Sequence, residues 1–360
     1  MPSLKEIKGR INSISSTLAI TSAMKMVAAA KLQKAQMAIQ NMLPYERRLH
    51  SMLIDLMGAM NISAAASEDG SVRGSGSAER GFDQSGDRLS LSNRHDLAGM
   101  DGAYSLMAQR EVRKVAIVAF ASNSSLCGAF NSNVIREATA VINEYRASGL
   151  GDADITVYSV GRKMAEAMKK LGFPSPADFT KMSDSPSYEA ASALAQELLD
   201  GFVSGRFDKV ELVYNHYKST SSQPTTRQTY LPLSLADATA DLQAGKITDS
   251  ASETDTNRGA EPVGAPVVRQ GSPTTEASDL IVEPSKEELI ATLLPKVVRL
   301  RIFTTLLDSA AAEHAARTVA MQLATDNGND LLQELTLEYN KGRQQKITSE
   351  ILDLVGGSLQ

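Results

Sequence analysis

Between residues 122 and 133 the chain reads SNSSLCGAFNSN, where Ser124 and Ser125 offer hydroxyls and Cys127 the only thiol of the sequence. Either kind of nucleophile needs a neighbouring base to take its proton, and no histidine stands close in sequence. Gly128 suits a tight turn and Asn131 or Ser132 suits a helix cap, so a structural role is the stronger reading. The four histidines, His50, His95, His216 and His314, lie far apart with no metal-ligand spacing and read as surface or packing residues. Neither GxxxxGK[ST] nor a GxGxxG after a strand is present, so no phosphate cradle is expected. No catalytic residue, cofactor or metal follows from these motifs.

A different chemistry is offered by residues 20–36, ITSAMKMVAAAKLQKAQ. They are helical in pattern, yet the side that should be buried presents Thr21, Lys25 and Ala28 where a core would want Leu or Ile. They lie inside a longer seam. From Leu4, apolar positions recur at alternating steps of three and four through Ile7, Ile11, Ile14 and Leu18, then Leu32, Ala35, Ile39, Leu49, Leu53 and Leu56. That heptad spacing commits the helix to a supercoiled partner. Residues 3–57 would extend for about 80 Å as one helix, with Pro44 as a potential kink. Residues 284–360 supply the partner. Pro295 is expected to end a short first helix there, and a frame through Val298, Ile302, Ala312, Ala316, Val319 and Leu323 resumes at Leu337, Ile347, Ile351 and Leu354. Between its two halves that frame meets Asp326, Asp330, Gln333, Asn340 and Gln344.

The middle of the chain changes period. Residues 112–122, 154–161 and 209–219 read as strands, and 131–148, 162–172 and 187–205 as helices. Alternation of the two predicts an α/β layer with a largely parallel sheet. Two segments interrupt this plan, 61–105 and 237–283, both poor in aliphatic residues; they cannot offset their ordering entropy by burial and read as inserted loops. The organisation is therefore a shaft helix over 1–60, a loop over 61–105, an α/β domain over 106–236, a second loop over 237–283 and helices over 284–360. The fold class is α/β: a long antiparallel coiled coil of the two terminal helices, projecting from a Rossmann-like domain.

Composition narrows the partners. A net charge of −5 argues against a general nucleic-acid binder, and 42% hydrophobic residues can bury a sizeable core. No apolar run approaches the ~20 residues needed to span a bilayer. A soluble bacterial cytoplasmic chain starting at Met1 is the expectation.

SLKEIKGRINSISSTLAITSAMKMVAAAKLQKAQ at one end and EHAARTVAMQLATDNGNDLLQELTLEYNKGRQQKITSEILDLVGG at the other resemble the gamma subunits of the bacterial rotary ATP synthase. The closing ITSEILDLVGG and the SLCGAFNSN loop carry the likeness furthest. Asn123, Ser124 and Ser125 stand where many relatives carry Asp, a basic residue and Gly, and both inserted loops exceed the usual family length. The resemblance implies a non-catalytic rotor, its coiled coil turning inside a hexamer of alpha and beta subunits while its α/β domain meets the epsilon subunit and the membrane c-ring. It implies attachment to the cytoplasmic face of the inner membrane through those partners alone. It also implies that Met24 lies close to Arg317 across the coil, that Met24 and Lys25 face the sleeve, and that Arg317, Gln344, Thr348 and Glu350 make polar contacts with beta. Counting back along an antiparallel coil then sets Met1 near Asn340, leaving 341–360 as a lone helix whose Ile347, Ile351 and Leu354 would sit in a bearing. Two other classes stay open: a non-rotary coiled-coil scaffold, and an α/β nucleotide-binding enzyme built on 111–219.

Overall fold

The computed structural model describes residues 3–68, 106–107, 110–233, 283 and 285–357. Most of both expected loops lies outside the described residues. Helix α1 (Leu4–Glu68) is unbroken through Pro44 and continues past residue 61, where the first loop was expected to begin. The α/β layer follows in order: β1 (Val115–Phe120), α2 (Phe130–Ala147), β2 (Ile155–Val160), α3 (Arg162–Lys170), α4 (Thr180–Asp184), α5 (Tyr188–Val203), β3 (Lys209–Asn215) and β4 (Thr225–Leu231). Helix α6 (Lys286–Gly357) closes the described chain.

The sheet order is β2-β1-β3-β4. Strand β1 is flanked in parallel by β2 and β3, with Ile117 opposite Val157 on one side and Glu211 on the other. Every residue of VAIVAF is buried, as a strand covered on both faces requires. Strand β4 pairs antiparallel with β3 at the edge and was not foreseen. Its TTRQTYL is mostly polar and only partly buried until Tyr230 and Leu231, so it carries no apolar run by which a strand is recognised.

Helices cover both faces. Helix α2 lays Val134, Ala138, Val141 and Ile142 on one side of the sheet, with Met164 and Met168 of α3 beside them. Helix α5 begins at Ser187, whose hydroxyl accepts the Ala190 amide at 3.3 Å, a side-chain cap for an otherwise orphan donor. It buries Leu194, Leu198 and Phe202 against the opposite face. Leu49 and Leu53 of α1 and Leu294, Val298, Ile302 and Leu306 of α6 belong to this same core. The foot of the coiled coil is thus a wall of the domain.

That packing accounts for Pro295. The expected break does not occur, and α6 runs straight through it. A proline inside a helix costs about 3 kcal/mol. Fully burying each aliphatic side chain returns about 1.5–3 kcal/mol, and Ile290, Leu294, Val297 and Val298 are all buried around it.

Above the domain, α1 and α6 run antiparallel. Thr21 and Thr325 share a hydrogen bond at 3.0 Å across the seam. A Cβ on Gly328 would lie 2.6 Å from Leu18, and one on Gly342 would lie 3.1 Å from Leu4. Leu4 is therefore level with Gly342 rather than with Leu337, five residues further along than the expected counting, so the lone tail begins beyond residue 342. The α6 frame also shifts. Beyond Gln322 its less exposed positions are Thr325, Gly328, Leu332, Leu335, Tyr339 and Gly342, a regular three-four alternation. Leu323 and Leu337, expected in the seam, are 58% and 65% exposed. The seam is built in part from small residues while large aliphatic ones point outward, so the polar middle of the expected frame belongs to the outer face.

Among the described glycines, Gly161 is the one whose added Cβ would collide with backbone. Gly161 links β2 to α3 at φ +96, and a Cβ there would stand 2.0 Å from the Ala121 carbonyl oxygen. Gly161→Ala should lower the thermal midpoint of the purified chain sharply, corresponding to about 2 kcal/mol or more from backbone strain and a displaced β1 end. Gly149→Ala, at φ +98 with no atom within 4 Å, carries the left-handed strain alone and should cost clearly less; equal losses would remove the steric argument.

Candidate functional site on the shaft

In an open α/β sheet the usual ligand crevice lies beyond the carboxyl ends of strands whose connections diverge. Here that place is at the ends of β1 and β3, and the chain fills it with its own residues. Cys127 and Phe130 pack on Ala312 of α6, with Tyr217 and Ala316 against them. The Asn215 side-chain amide donates to the Phe130 carbonyl at 3.1 Å, tying the end of β3 to the start of α2.

The SNSSLCGAFNSN loop is therefore a seat. Leu126 and Gly128 both adopt left-handed φ, 68° and 58°, which folds the loop back on itself. Asn131 is not the helix cap it resembled. Its Oδ1 accepts the Ser122 amide at 3.0 Å and its Nδ2 donates to the Ser124 carbonyl at 3.2 Å, while Ala129 occupies the cap position of α2. Cys127 is buried, with Asn131 Nδ2 at 3.2 Å from its sulfur. The thiol has packing partners and no base.

Beside this loop lies a cleft of about 310 Å³ between both shaft helices and the domain. Met24, Val27, Ala28 and Lys31 come from α1, Glu313, His314 and Arg317 from α6, and Ser124, Ser183 and Asp184 from the domain. Met24 and Arg317 do share this cleft, whereas Lys25 is half-buried at a seam position and does not line it. Arg317 donates to the Ser125 carbonyl at 2.9 Å and pairs with Glu313 at 2.5 Å. Burial pushes the Glu313 carboxyl up even so, outweighing the guanidinium. His314 is pushed down to about 4 by burial, then by the charges of Lys31 and Arg317, so it is neutral at ordinary pH. Sequence spacing could not have shown this cluster, since its members converge from four segments.

The remaining expected positions lie on the tail of α6. Gln344, Thr348 and Glu350 are exposed; Thr348 donates to the Gln344 carbonyl at 2.9 Å, and Glu350 stands 3.6 Å from Lys346. Ile347, Ile351 and Leu354 are 47%, 54% and 74% exposed. At spacings of four and three they form one apolar stripe along a helix past its partner's end. Contiguous apolar surface of that kind marks a binding face.

A two-helix stalk standing on a mixed α/β sheet, with its own foot in the ligand crevice, defines a class of stalk subunit rather than of α/β enzyme. The chain belongs to the ATP synthase family, in its gamma-chain branch: the family model described as ATP synthase matches residues 3–359. It is 46% identical to the ATP synthase gamma chain of Phocaeicola vulgatus over 359 residues that cover all of both chains, and 45% identical to that of Bacteroides thetaiotaomicron, again over the whole of both. The Flavobacterium johnsoniae gamma chain is 36% identical, with 99% of this chain and 98% of the other covered. Such coverage leaves no room for a large length difference, so these relatives are as long as this chain, loops included. In fold the chain is similar to a chain of the Euglena gracilis mitochondrial ATP synthase (OSCP/F1/c-ring, rotational state 3), with TM-score 0.51 and 18% identity over 98% of this chain and 92% of the other.

Gly328 offers a direct test of how closely the helices must approach. An exposed glycine-to-alanine change within a helix usually gains about 1 kcal/mol, but Leu18 occupies the space here. Gly328→Leu should lower the thermal midpoint read by circular dichroism at 222 nm, by an amount near 1–3 kcal/mol of overpacking. Combining it with Leu18→Ala should recover most of the loss; no recovery would show that the pair is not in contact.

Proposed function

We propose that this chain is the central rotor shaft of a bacterial ATP synthase, seated on the membrane c-ring through its α/β domain and the epsilon subunit. Its coiled coil turns within a hexamer of alpha and beta subunits, and the nucleotide chemistry belongs to beta. The observation that carries this reading is the outward-facing apolar surface of an otherwise slender coil, above all the stripe Ile347–Ile351–Leu354 beyond the end of α1. A lone helix presenting such a stripe to water is stable only if another chain covers it.

The mechanism follows from asymmetry. The Met24–Arg317 cleft and the tail lie on particular sides of the shaft, so each beta subunit around it meets a different face. A shaft angle that binds one site's closed form better shifts that site's affinity, and by linkage the occupied site biases the shaft angle. Nothing in this requires a reacting group on the shaft. Among the described residues no helix is long and apolar enough to cross a membrane, which suits attachment to the cytoplasmic face through partners.

A non-rotary scaffold would also be built on such a continuous seam. Self-association through the tail stripe would favour it. Purifying the native complex from membranes decides: the rotor reading expects this chain with alpha, beta, epsilon and c subunits, and the scaffold reading expects it elsewhere.

Met24→Lys tests the shaft surface within the complex. It would bring a further cation to the cleft of Lys31 and Arg317, where partial burial weakens screening. On membranes with normal subunit content, ATP hydrolysis should persist while ion pumping falls, because the added charge favours certain shaft angles. A parallel fall in both, matched to lost assembly, would make Met24 a packing residue only.

A further inference from the structure

The apolar core at the foot of the shaft is large but non-directional, and it lies at one end of the joint. A rotor also needs contacts that fix the angle of the shaft on its domain. Two polar clamps meet that need, one from each strand end at the crevice. Arg317 reaches the Ser125 carbonyl beyond β1. Asp308 receives the segment beyond β3: its Oδ2 lies 2.6 Å from His216 Nδ1, and its Oδ1 accepts the Tyr217 amide at 2.9 Å. The two clamps are nine residues apart on α6, about 13 Å along the axis. Tyr217 touches the other helix as well, since Gln36 of α1 donates to its phenol oxygen at 2.6 Å. Its ring packs on the Leu32, Ala35, Ala311 and Ala315 cluster. The segment itself is held to the sheet, with the His216 amide donating to the Pro224 carbonyl at 2.9 Å and the Thr225 hydroxyl to Asn215 at 2.7 Å.

We propose that Asp308, gripping His216 and Tyr217 together, is a positioning residue that keys the shaft to the α/β domain and carries torque between them. This rests on the rotor reading and deepens it. A carboxylate accepting two donors from one rigid segment resists rotation in a way that apolar contact does not, because its hydrogen bonds fail steeply with angle. Tyr217, wedged between α1 and α6, makes both helices turn with the domain rather than one alone.

The key has a charge signature. The charged and titratable groups around His216 are Asp308 and Arg301 of α6, Glu46, Arg47 and His50 of α1, and the adjacent Lys218. The bond to Asp308 holds the imidazole above its usual range, against burial and Lys218. The ionic part of the grip is therefore complete below the ordinary histidine range and is lost as pH rises through the raised value, while the Tyr217 amide bond persists throughout.

The test is ion pumping per ATP hydrolysed on membranes carrying the full complex, across roughly pH 6 to 9, where histidines titrate. Asp308→Ala should lower that ratio by about tenfold, the equivalent of one charge-assisted hydrogen bond in the docking equilibrium. His216→Gln should fall below wild type at the acid end and converge with it at the alkaline end. Tyr217→Phe, which removes the Gln36 bond and the longer contact with the Thr220 hydroxyl while leaving the Asp308 grip, should give a smaller loss at every pH. Unchanged coupling in Asp308→Ala at normal subunit content overturns the proposal, as does a ratio of wild type to His216→Gln that is flat with pH. If Asp308→Ala does not assemble, the His216→Gln pH profile still decides. Failure of the rotor reading looks different: the wild-type chain would be absent from the complex or its membranes would not pump at all.

Discussion

The distance between α1 and α6 governs the rest of the molecule. Gly328 and Gly342 meet Leu18 and Leu4 so closely that a single added carbon would collide or press, and Thr21 meets Thr325 through their hydroxyls. A pair of helices drawn this near keeps a slender cross-section over the length of the coil. It also gives up much of the burial that holds ordinary coiled coils together, because glycine and threonine bring little apolar area to a seam. Stability must then come from elsewhere. It comes from the foot, where Leu49, Leu53, Leu294, Val298, Ile302 and Leu306 join the sheet's own core.

That arrangement explains how a domain of nucleotide-binding architecture comes to have its usual ligand crevice filled by its own shaft. Three parallel strands and their covering helices create a crevice at the ends of β1 and β3, and the foot of the shaft occupies it. Phe130, Cys127 and Tyr217 contact Ala312 and Ala316 where a ligand would otherwise lie. The loops that would cradle phosphate instead supply carbonyl and amide groups to Arg317 and Asp308. Function here comes from the site rather than from the fold.

Large parts of this were legible in the sequence. The α1 seam was read correctly along its length, since Ile7, Ala28, Leu32, Leu49 and Leu53 are buried as the heptads require. The three parallel strands were found by their apolar runs, and the family by its two ends. What failed did so for identifiable reasons. The α6 frame slipped because Gly328 and Thr325 do not look like seam residues until a partner's Leu18 or Thr21 is set against them. Pro295 did not end its helix because tertiary burial outweighs a local cost. Strand β4 was missed because an edge strand can be polar. The cleft of Met24, Glu313, His314 and Arg317 is assembled from distant segments; the resemblance implies the Met24–Arg317 pairing, but the burial that raises Glu313 and keeps His314 neutral exists only once those segments converge. Gln344, Thr348 and Glu350 carry no signal of their own in either sequence or fold, and their role rests on the proposal of a surrounding sleeve.

The outer surface inverts the usual pattern of a coiled coil. Ordinarily large apolar residues occupy the seam and charges the outside. Here Thr21, Lys25 and Gly328 occupy the seam while Ile20, Met24, Met26, Val27 and Leu323 point outward. In water alone such an arrangement is unfavourable on both counts, so it makes sense only where other chains cover the outside. The outward residues are also suited to a cover that changes. Methionine is unbranched and polarizable and adapts to differently shaped neighbours with little strain, which under the proposed rotor reading lets Met24 and Met26 pack against a sleeve at more than one angle. The directional contacts of Asp308 and Arg317 with the domain lie at the foot, where the proposed rotor needs a contact that does not change. A shaft loosely packed toward its sleeve and rigidly keyed toward its domain is the distribution of interactions that rotation under load requires.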